Sequence, residues 1–218
     1  NESVKRILRD KFKLGLFDNP YVNEKYALKL AGKKEFREKG KIAQAKSTVL
    51  LKNNDILPLA KGIKIYAKGM LNPEILNKYG KVVDDPSLAD VILIRIRTPF
   101  DERTEYFLES FFHQGRLFYS EEEKEDILSL IEIKPSIVIV NLERPAILTE
   151  INDKTNALLA DFGTSDEVLA SLLFGKVKPT GKMPFELPSS WESVLKQLED
   201  VPYDSENPLY TFGHGLSY

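Results

Sequence analysis

An α/β domain, a mostly parallel sheet flanked by helices, is what this sequence predicts, and three observations carry it. Short continuous apolar runs recur at residues 62–67, 91–98, 136–142 and 157–162, with SIVIVNL at 136–142 the clearest; strands buried on both faces read this way. Helical patterns with start signals lie between those runs. Strand–helix–strand alternation on this scale implies parallel pairing through crossover helices. The 218 residues, 42% hydrophobic and 29% charged, suffice for one such core with room for an appendage.

Taken in order, Val4, Ile7, Leu8 and Phe12 recur at helical spacing, with Gly15 as a stop and Asp18-Asn19-Pro20 as a turn. Residues 20–40 read as an exposed connector of interleaved Lys and Glu, punctuated by Gly32 and Gly40. A short helix over 41–46 leads into Ser47-Thr-Val-Leu-Leu-Lys52 and a turn at Asn53-Asn54-Asp55. Ser120-Glu-Glu-Glu123 is a capping box before an Ile127, Leu128, Ile131 face that Pro135 ends. Thr164-Ser-Asp-Glu167 repeats the device before Val168, Leu169, Leu172 and Leu173, and Gly175 closes that helix. Trp191, the single Trp, follows Ser189-Ser190 at a helix start, where core packing or an N-terminal staple is its ordinary role. The Pro- and Gly-rich stretch 176–218 is expected to wrap the surface.

Composition excludes several chemistries. With no Cys and only His113 and His214, thiol nucleophiles, disulfide scaffolds and Cys- or His-rich metal sites are ruled out, and no cofactor or metal is expected. A net charge of −2 argues against nucleic-acid binding. No apolar run reaches the roughly 20 residues of a membrane span, so no membrane partner is expected. The chain opens on Asn1 and carries no signal; a secreted or periplasmic protein whose leader has been removed is compatible with this. Charge is uneven: residues 1–46 hold 13 Lys/Arg against 6 Asp/Glu, the remainder 18 against 27. The basic arm is a solvated face, an anion site, or a surface that lies against another domain.

Ligands of open α/β sheets meet the loops leaving strand carboxyl ends. The longest such loop runs over 99–119 and holds Asp101, Glu102, Arg103, Glu105, Glu109, His113 and Arg116 amid Phe100, Tyr106, Phe107, Phe111 and Phe112. Carboxyls beside aromatics suit general acid work, and aromatic faces stack on sugar rings. The plainer alternative is that the aromatics cover a helix end and the carboxylates are solvated. His113 has no Ser or Asp partner at a recognisable spacing, and no nucleophile elbow, phosphate loop or dinucleotide fingerprint occurs.

Four motifs then resemble glycoside hydrolase family 3, in the family's order. Ala45-Lys-Ser-Thr-Val-Leu-Leu-Lys-Asn53 with Leu57-Pro-Leu59 resembles the opening of its second domain. Gly175…Pro179-Thr-Gly-Lys-Met-Pro-Phe-Glu-Leu-Pro188 and Asn207-Pro-Leu-Tyr-Thr-Phe-Gly-His-Gly-Leu-Ser-Tyr218 resemble two later segments. VKRILRDKFKLGLFDNPY, residues 4–21, resembles the last helix of the family's barrel domain and its exit. The resemblance implies residues 1–40 as that helix and an interdomain linker, and residues 41–218 as a C-terminal, (α/β)6-sandwich-like domain. It implies a retaining β-glycosidase whose Asp nucleophile lies in the barrel, with the carbohydrate substrate shared between the domains. No stretch here resembles the nucleophile's motif, so the chain is expected to be inactive alone; retention needs two carboxyl groups about 5–5.5 Å apart. The family's general acid/base falls on Glu102 when counted from the strand and on Glu109 when counted back from the following segment, with Glu105 third. Glu102 is preferred, because strand ends hold geometry better than loop interiors. Arg97, Phe100 and His113 are expected to bind substrate. No Trp lies in 67–81, where a family loop bears a sugar-stacking Trp. A non-catalytic carbohydrate-binding or interaction module of the same fold is the alternative reading.

Overall fold

The computed structural model describes residues 1–218, which divide into two compact units, Asn1–Gly40 and Lys41–Tyr218. In the first unit, helix α1 (Glu2–Lys13) carries the expected apolar residues, yet none of its side chains is buried. It stops at Gly15, which takes φ +69° while the amides of Leu14, Gly15 and Leu16 turn back onto the carbonyls of Asp10, Phe12 and Lys11. Glycine adopts that left-handed conformation without strain. Phe12 and Phe17 then meet at 4.4 Å between rings.

Residues 20–40, read from the sequence as an exposed connector, are exposed almost throughout but largely helical. Helix α2 (Glu24–Leu30) starts under Asn23, whose side chain accepts the Tyr26 amide at 3.0 Å, and α3 (Lys34–Ser47) begins well before residue 41. Lys, Glu, Arg and Ala are strong helix formers, and Glu35 reaches Lys39 one turn on at 2.8 Å. Together they carry the helix through Gly40, which costs it roughly 0.5–1 kcal/mol.

The second unit contains β1 (Val49–Asn53), β2 (Lys64–Lys68), β3 (Lys81–Val82), β4 (Val91–Arg97), α4 (Glu121–Ile131), β5 (Ser136–Asn141), α5 (Thr149–Lys154), β6 (Ala157–Asp161), α6 (Asp166–Leu173) and α7 (Trp191–Lys196). The sheet order is β1-β6-β5-β4-β2-β3, parallel throughout except that β1 runs antiparallel to β6. Alternate residues enter two separate cores. Ile92, Ile94, Val138, Val140, Leu158 and Ala160 pack with Ile127 and Ile131 of α4 and Ile151 of α5. Leu93, Ile137, Ile139 and Leu159 pack on the other face with Leu169 and Leu173 of α6. Both faces are therefore dry, which is why the strands read as unbroken apolar runs; each Leu or Ile so buried contributes about 1.5–3 kcal/mol.

The capping box at Ser120 forms as expected, with both reciprocal bonds to Glu123. The one expected at Thr164 does not. Ser165 caps α6 instead, without a side-chain bond to the helix. Its hydroxyl and amide both go to Gln44 Oε1, at 2.9 and 3.1 Å, and Thr164 Oγ1 meets Thr48 Oγ1 at 2.9 Å. Packing against α3 has taken both hydroxyls. The tail from 176 does more than cover a surface. Met183 and Leu187 are buried in the α4-side core, and Leu216 bridges β1 at Leu50. His214 Nε2 lies 2.8 Å from the Leu51 carbonyl. Tyr218 donates to the Leu172 carbonyl, and burial pushes its hydroxyl up to about 12.

Candidate functional site

Strands β2, β4, β5 and β6 are parallel, so their carboxyl ends gather along one edge. β4 runs out at Arg97, whose carbonyl accepts the Tyr119 hydroxyl at 2.7 Å. Asp101 then pairs with Gln114 in an isolated antiparallel bridge, its amide 2.8 Å from the Gln114 carbonyl. That bridge closes a neck, and residues 102–113 leave and return through it.

The neck is held by charge. The Asp101 carboxylate accepts the Arg116 amide at 3.1 Å and pairs with its guanidinium at 3.4 Å. Arg116 in turn grips Glu123 through both terminal nitrogens, at 2.5 and 3.1 Å, and donates to the Phe118 carbonyl at 3.0 Å. Gly115 sits over Asp101 at φ +78°, where an added Cβ would lie 1.8 Å from the carboxylate; a side chain there would open the neck. Arg144 donates to the Gly115 carbonyl at 2.7 Å, and desolvation holds its guanidinium below the ordinary value. Burial pushes the Tyr119 hydroxyl well up.

The Arg116 hydrogen bond, aided by the Ser120 amide, lowers Glu123 from near 4.5 to about 2. A depressed carboxyl contributes stability that is complete above its unfolded value and lost as pH falls through its folded one. The melting-temperature difference between the native chain and Glu123→Gln is therefore expected to close as pH drops from about 4.5 to about 2. The difference should be small, since the pair is partly solvated. A difference independent of pH over that window would contradict the assignment.

Above the neck, Phe100 stacks on His113 with ring centres 3.9 Å apart and planes 16° from parallel. His113 Nδ1 lies 2.5 Å from the Glu143 carboxylate. Glu109 opens a single 3-10 turn (Glu109–Phe111), and its carboxylate accepts the Tyr106 amide at 3.0 Å. Tyr106, Phe107, Leu108, Phe111 and Phe112 are all exposed, with Phe107 and Phe111 edge to face at 5.5 Å.

Two clefts flank the loop. One of about 510 Å³ is lined by Arg97, Phe100, Asp101, Glu102, Arg116 and Tyr119, among others. A second of about 270 Å³ includes Phe100, Glu102, Glu109 and Phe112. Of the residues expected to form a site, Arg97, Phe100 and Glu102 meet on the first cleft, and Phe100, Glu102 and Glu109 on the second. His113 stands behind Phe100, and neither His113 nor Glu105 lines either cleft. Four carboxyls line these clefts, and three are engaged: Asp101 and Glu123 by Arg116, Glu109 by its own turn. The Glu102 carboxyl is exposed and makes no hydrogen bond or ion pair. No group of three His, Asp or Glu side chains is placed to hold a metal ion, and no helix is long and apolar enough to cross a membrane.

One cluster at the same edge escapes sequence reasoning. Arg95, in the middle of β4, donates to Asp161 at 3.1 and 3.2 Å, to Asp166 at 2.8 Å and to the Thr164 carbonyl at 2.7 Å. Asp161 Oδ1 also accepts from Asn141, Gly163 and Thr164, at 2.9, 2.9 and 3.0 Å. This buried network pins the β6–α6 turn beneath the edge that carries the clefts. Its signal in the sequence is Arg95, set between Ile94 and Ile96 within the apolar run of β4.

Sheet and loop together define an α/β-sandwich domain with its clefts at strand carboxyl ends. Residues 77–218 match the glycosyl hydrolase family 3 C-terminal domain, and the chain belongs to that family. It is 41% identical to a periplasmic beta-glucosidase/beta-xylosidase of Dickeya chrysanthemi, over 99% of this chain and 34% of that protein. It is 40% identical to beta-glucosidase C of Emericella nidulans, over 99% of this chain and 35% of the relative. It thus spans about a third of the length of these relatives. In fold it is similar to the beta-glucosidase of Listeria innocua solved with isofagomine, at a TM-score of 0.73 and 24% identity, over 100% of this chain and 39% of that one.

Proposed function

We propose that this chain is the C-terminal domain of a retaining β-glycosidase that removes terminal β-linked sugars, and that Glu102 is its general acid/base. The observation that carries the residue assignment is the state of the four cleft carboxyls, of which Glu102 alone is unengaged. A group that must release a proton and take one back works best without a competing cation or amide on its oxygens. In the first step the protonated Glu102 gives its proton to the glycosidic oxygen as the C1–O bond breaks, while an Asp carboxylate of a barrel domain bonds to C1. In the second step the Glu102 carboxylate takes a proton from water as that water's oxygen attacks C1 and releases the Asp. Arg97 and Phe100, on the same cleft, flank the sugar. His113 acts through Phe100, its ring clamped between that stack and Glu143.

Residues 1–40 fit the end of the barrel and a linker in this account. The exposed Val4, Ile7 and Phe12 of α1 are the kind of face such a domain would cover. The test is a chimera in which this chain replaces the matching third of the Dickeya chrysanthemi relative. Hydrolysis of aryl β-glucosides and β-xylosides is expected from the chimera and not from the chain alone. Turnover by the chain alone, or a folded chimera that binds these substrates without cleaving them, would contradict the reading.

A further inference from the structure

A third cleft, of about 450 Å³, lies between α4, α5 and the start of α7. It shares one wall with the first cleft: buried Tyr119 lines both. Its aromatic surface is Trp191 and Phe118, which meet edge to face with ring centres 5.4 Å apart and planes at 72°. Beside them Lys124 is held by two carboxylates, Glu121 and Glu150, each at 2.9 Å. From this we infer that the Trp191 cleft is a second carbohydrate-binding site, taking a neutral pyranose or a short β-linked oligosaccharide.

The chemistry of the lining selects that class. Two of the three ammonium donors of Lys124 are committed, which leaves one to give, and each carboxylate keeps a second oxygen to accept. Vicinal hydroxyls need donors and acceptors side by side in this way, while a pyranose's C–H face needs an aromatic surface. Two acidic groups around one cation leave the site net negative, which disfavours phosphate and other anions. A volume of about 450 Å³ falls in the usual range for small-ligand sites. A proline-rich peptide also favours aromatic grooves, but it offers few donors to the paired carboxylates. The inference does not rest on Glu102, and its test requires no turnover.

Trp191 is the only Trp in the chain, so its emission reports on this cleft alone. The 218-residue chain is titrated with cellobiose, with xylobiose, with glycerol as a plain polyol and with a proline-rich peptide. A saturable change in emission with a disaccharide and none with glycerol is expected. Lys124→Met and Glu150→Gln should each weaken binding about tenfold, which corresponds to about 1.4 kcal/mol. Calorimetry repeats the measurement without the reporter, and Trp191→Ala should weaken the disaccharide binding it records by about tenfold or more; unchanged binding in that variant would overturn the proposal. The proposal is also overturned by any of three results: no saturable change, a change that glycerol or the peptide reproduces, or binding indifferent to both the Lys124 and Glu150 variants.

Discussion

In the chimera with a family barrel, Glu102→Gln is expected to lower kcat on an alkyl β-glucoside by about 10²–10⁴-fold, the usual contribution of a positioned acid/base. Gln keeps the shape of the side chain but has no acidic proton to give. An alkoxide leaves poorly without one, so the loss falls on the first step. A dinitrophenyl glycoside, whose leaving group needs no proton, should lose far less there, and its second step then becomes limiting. Glu109→Gln should change either rate by no more than about twofold, since its carboxylate holds the Tyr106 amide rather than facing a substrate. The opposite ranking of the two variants would move the role to Glu109.

The largest effect on stability is expected at Asp161. Its carboxyl is fully buried and accepts from Arg95, Asn141, Gly163 and Thr164. Asp161→Ala leaves the Arg95 charge with Asp166 as its only carboxylate and orphans two backbone amides. Breaking a buried pair in this way costs about 3–5 kcal/mol. In a domain of this size each kcal/mol moves the melting temperature by about 2–4 °C, so a fall of about 10 °C is expected by calorimetry. A change below about 1 kcal/mol would mean that the network is solvated and idle.

What the sequence made legible follows from range. Strands β5 and β6 announce themselves because both their faces are dry, and the Ser120 box because its partner is three residues away. The antiparallel turn of β1 onto β6 and the two-residue strand β3 leave no such local trace. The Thr164 box was misread for a related reason: its hydroxyls answer to Thr48 and Gln44, more than a hundred residues distant. The helices within residues 20–40 are hard to read because Gly32 and Gly40 interrupt the run of helix formers around them. Arg95 and Asp161 pair across 66 residues, and Asp161 by itself reads as a turn residue.

The candidate site was half legible. Its loop stood out by length and by its mix of carboxyls and aromatics. The ambiguity between Glu102 and Glu109 has a physical source in the Asp101–Gln114 neck. Counting forward from β4 stops just past one side of the neck, whereas counting back from α4 crosses the whole excursion. Nothing in the local sequence marks the neck, because it depends on Arg116 reaching both Asp101 and Glu123. The engaged state of three cleft carboxyls is likewise a property of the folded chain.

The most direct test of the central assignment is rescue of Glu102→Ala, in the chimera, by azide acting on a dinitrophenyl β-glucoside. Azide is already an anion, needs no base, and fits the space left by the missing carboxyl. If Glu102 is the acid/base, azide accelerates turnover and the product is the β-glycosyl azide, while Glu109→Ala shows neither effect. No acceleration by azide in Glu102→Ala, with a rate that falls equally for alkyl and dinitrophenyl substrates, would contradict the assignment.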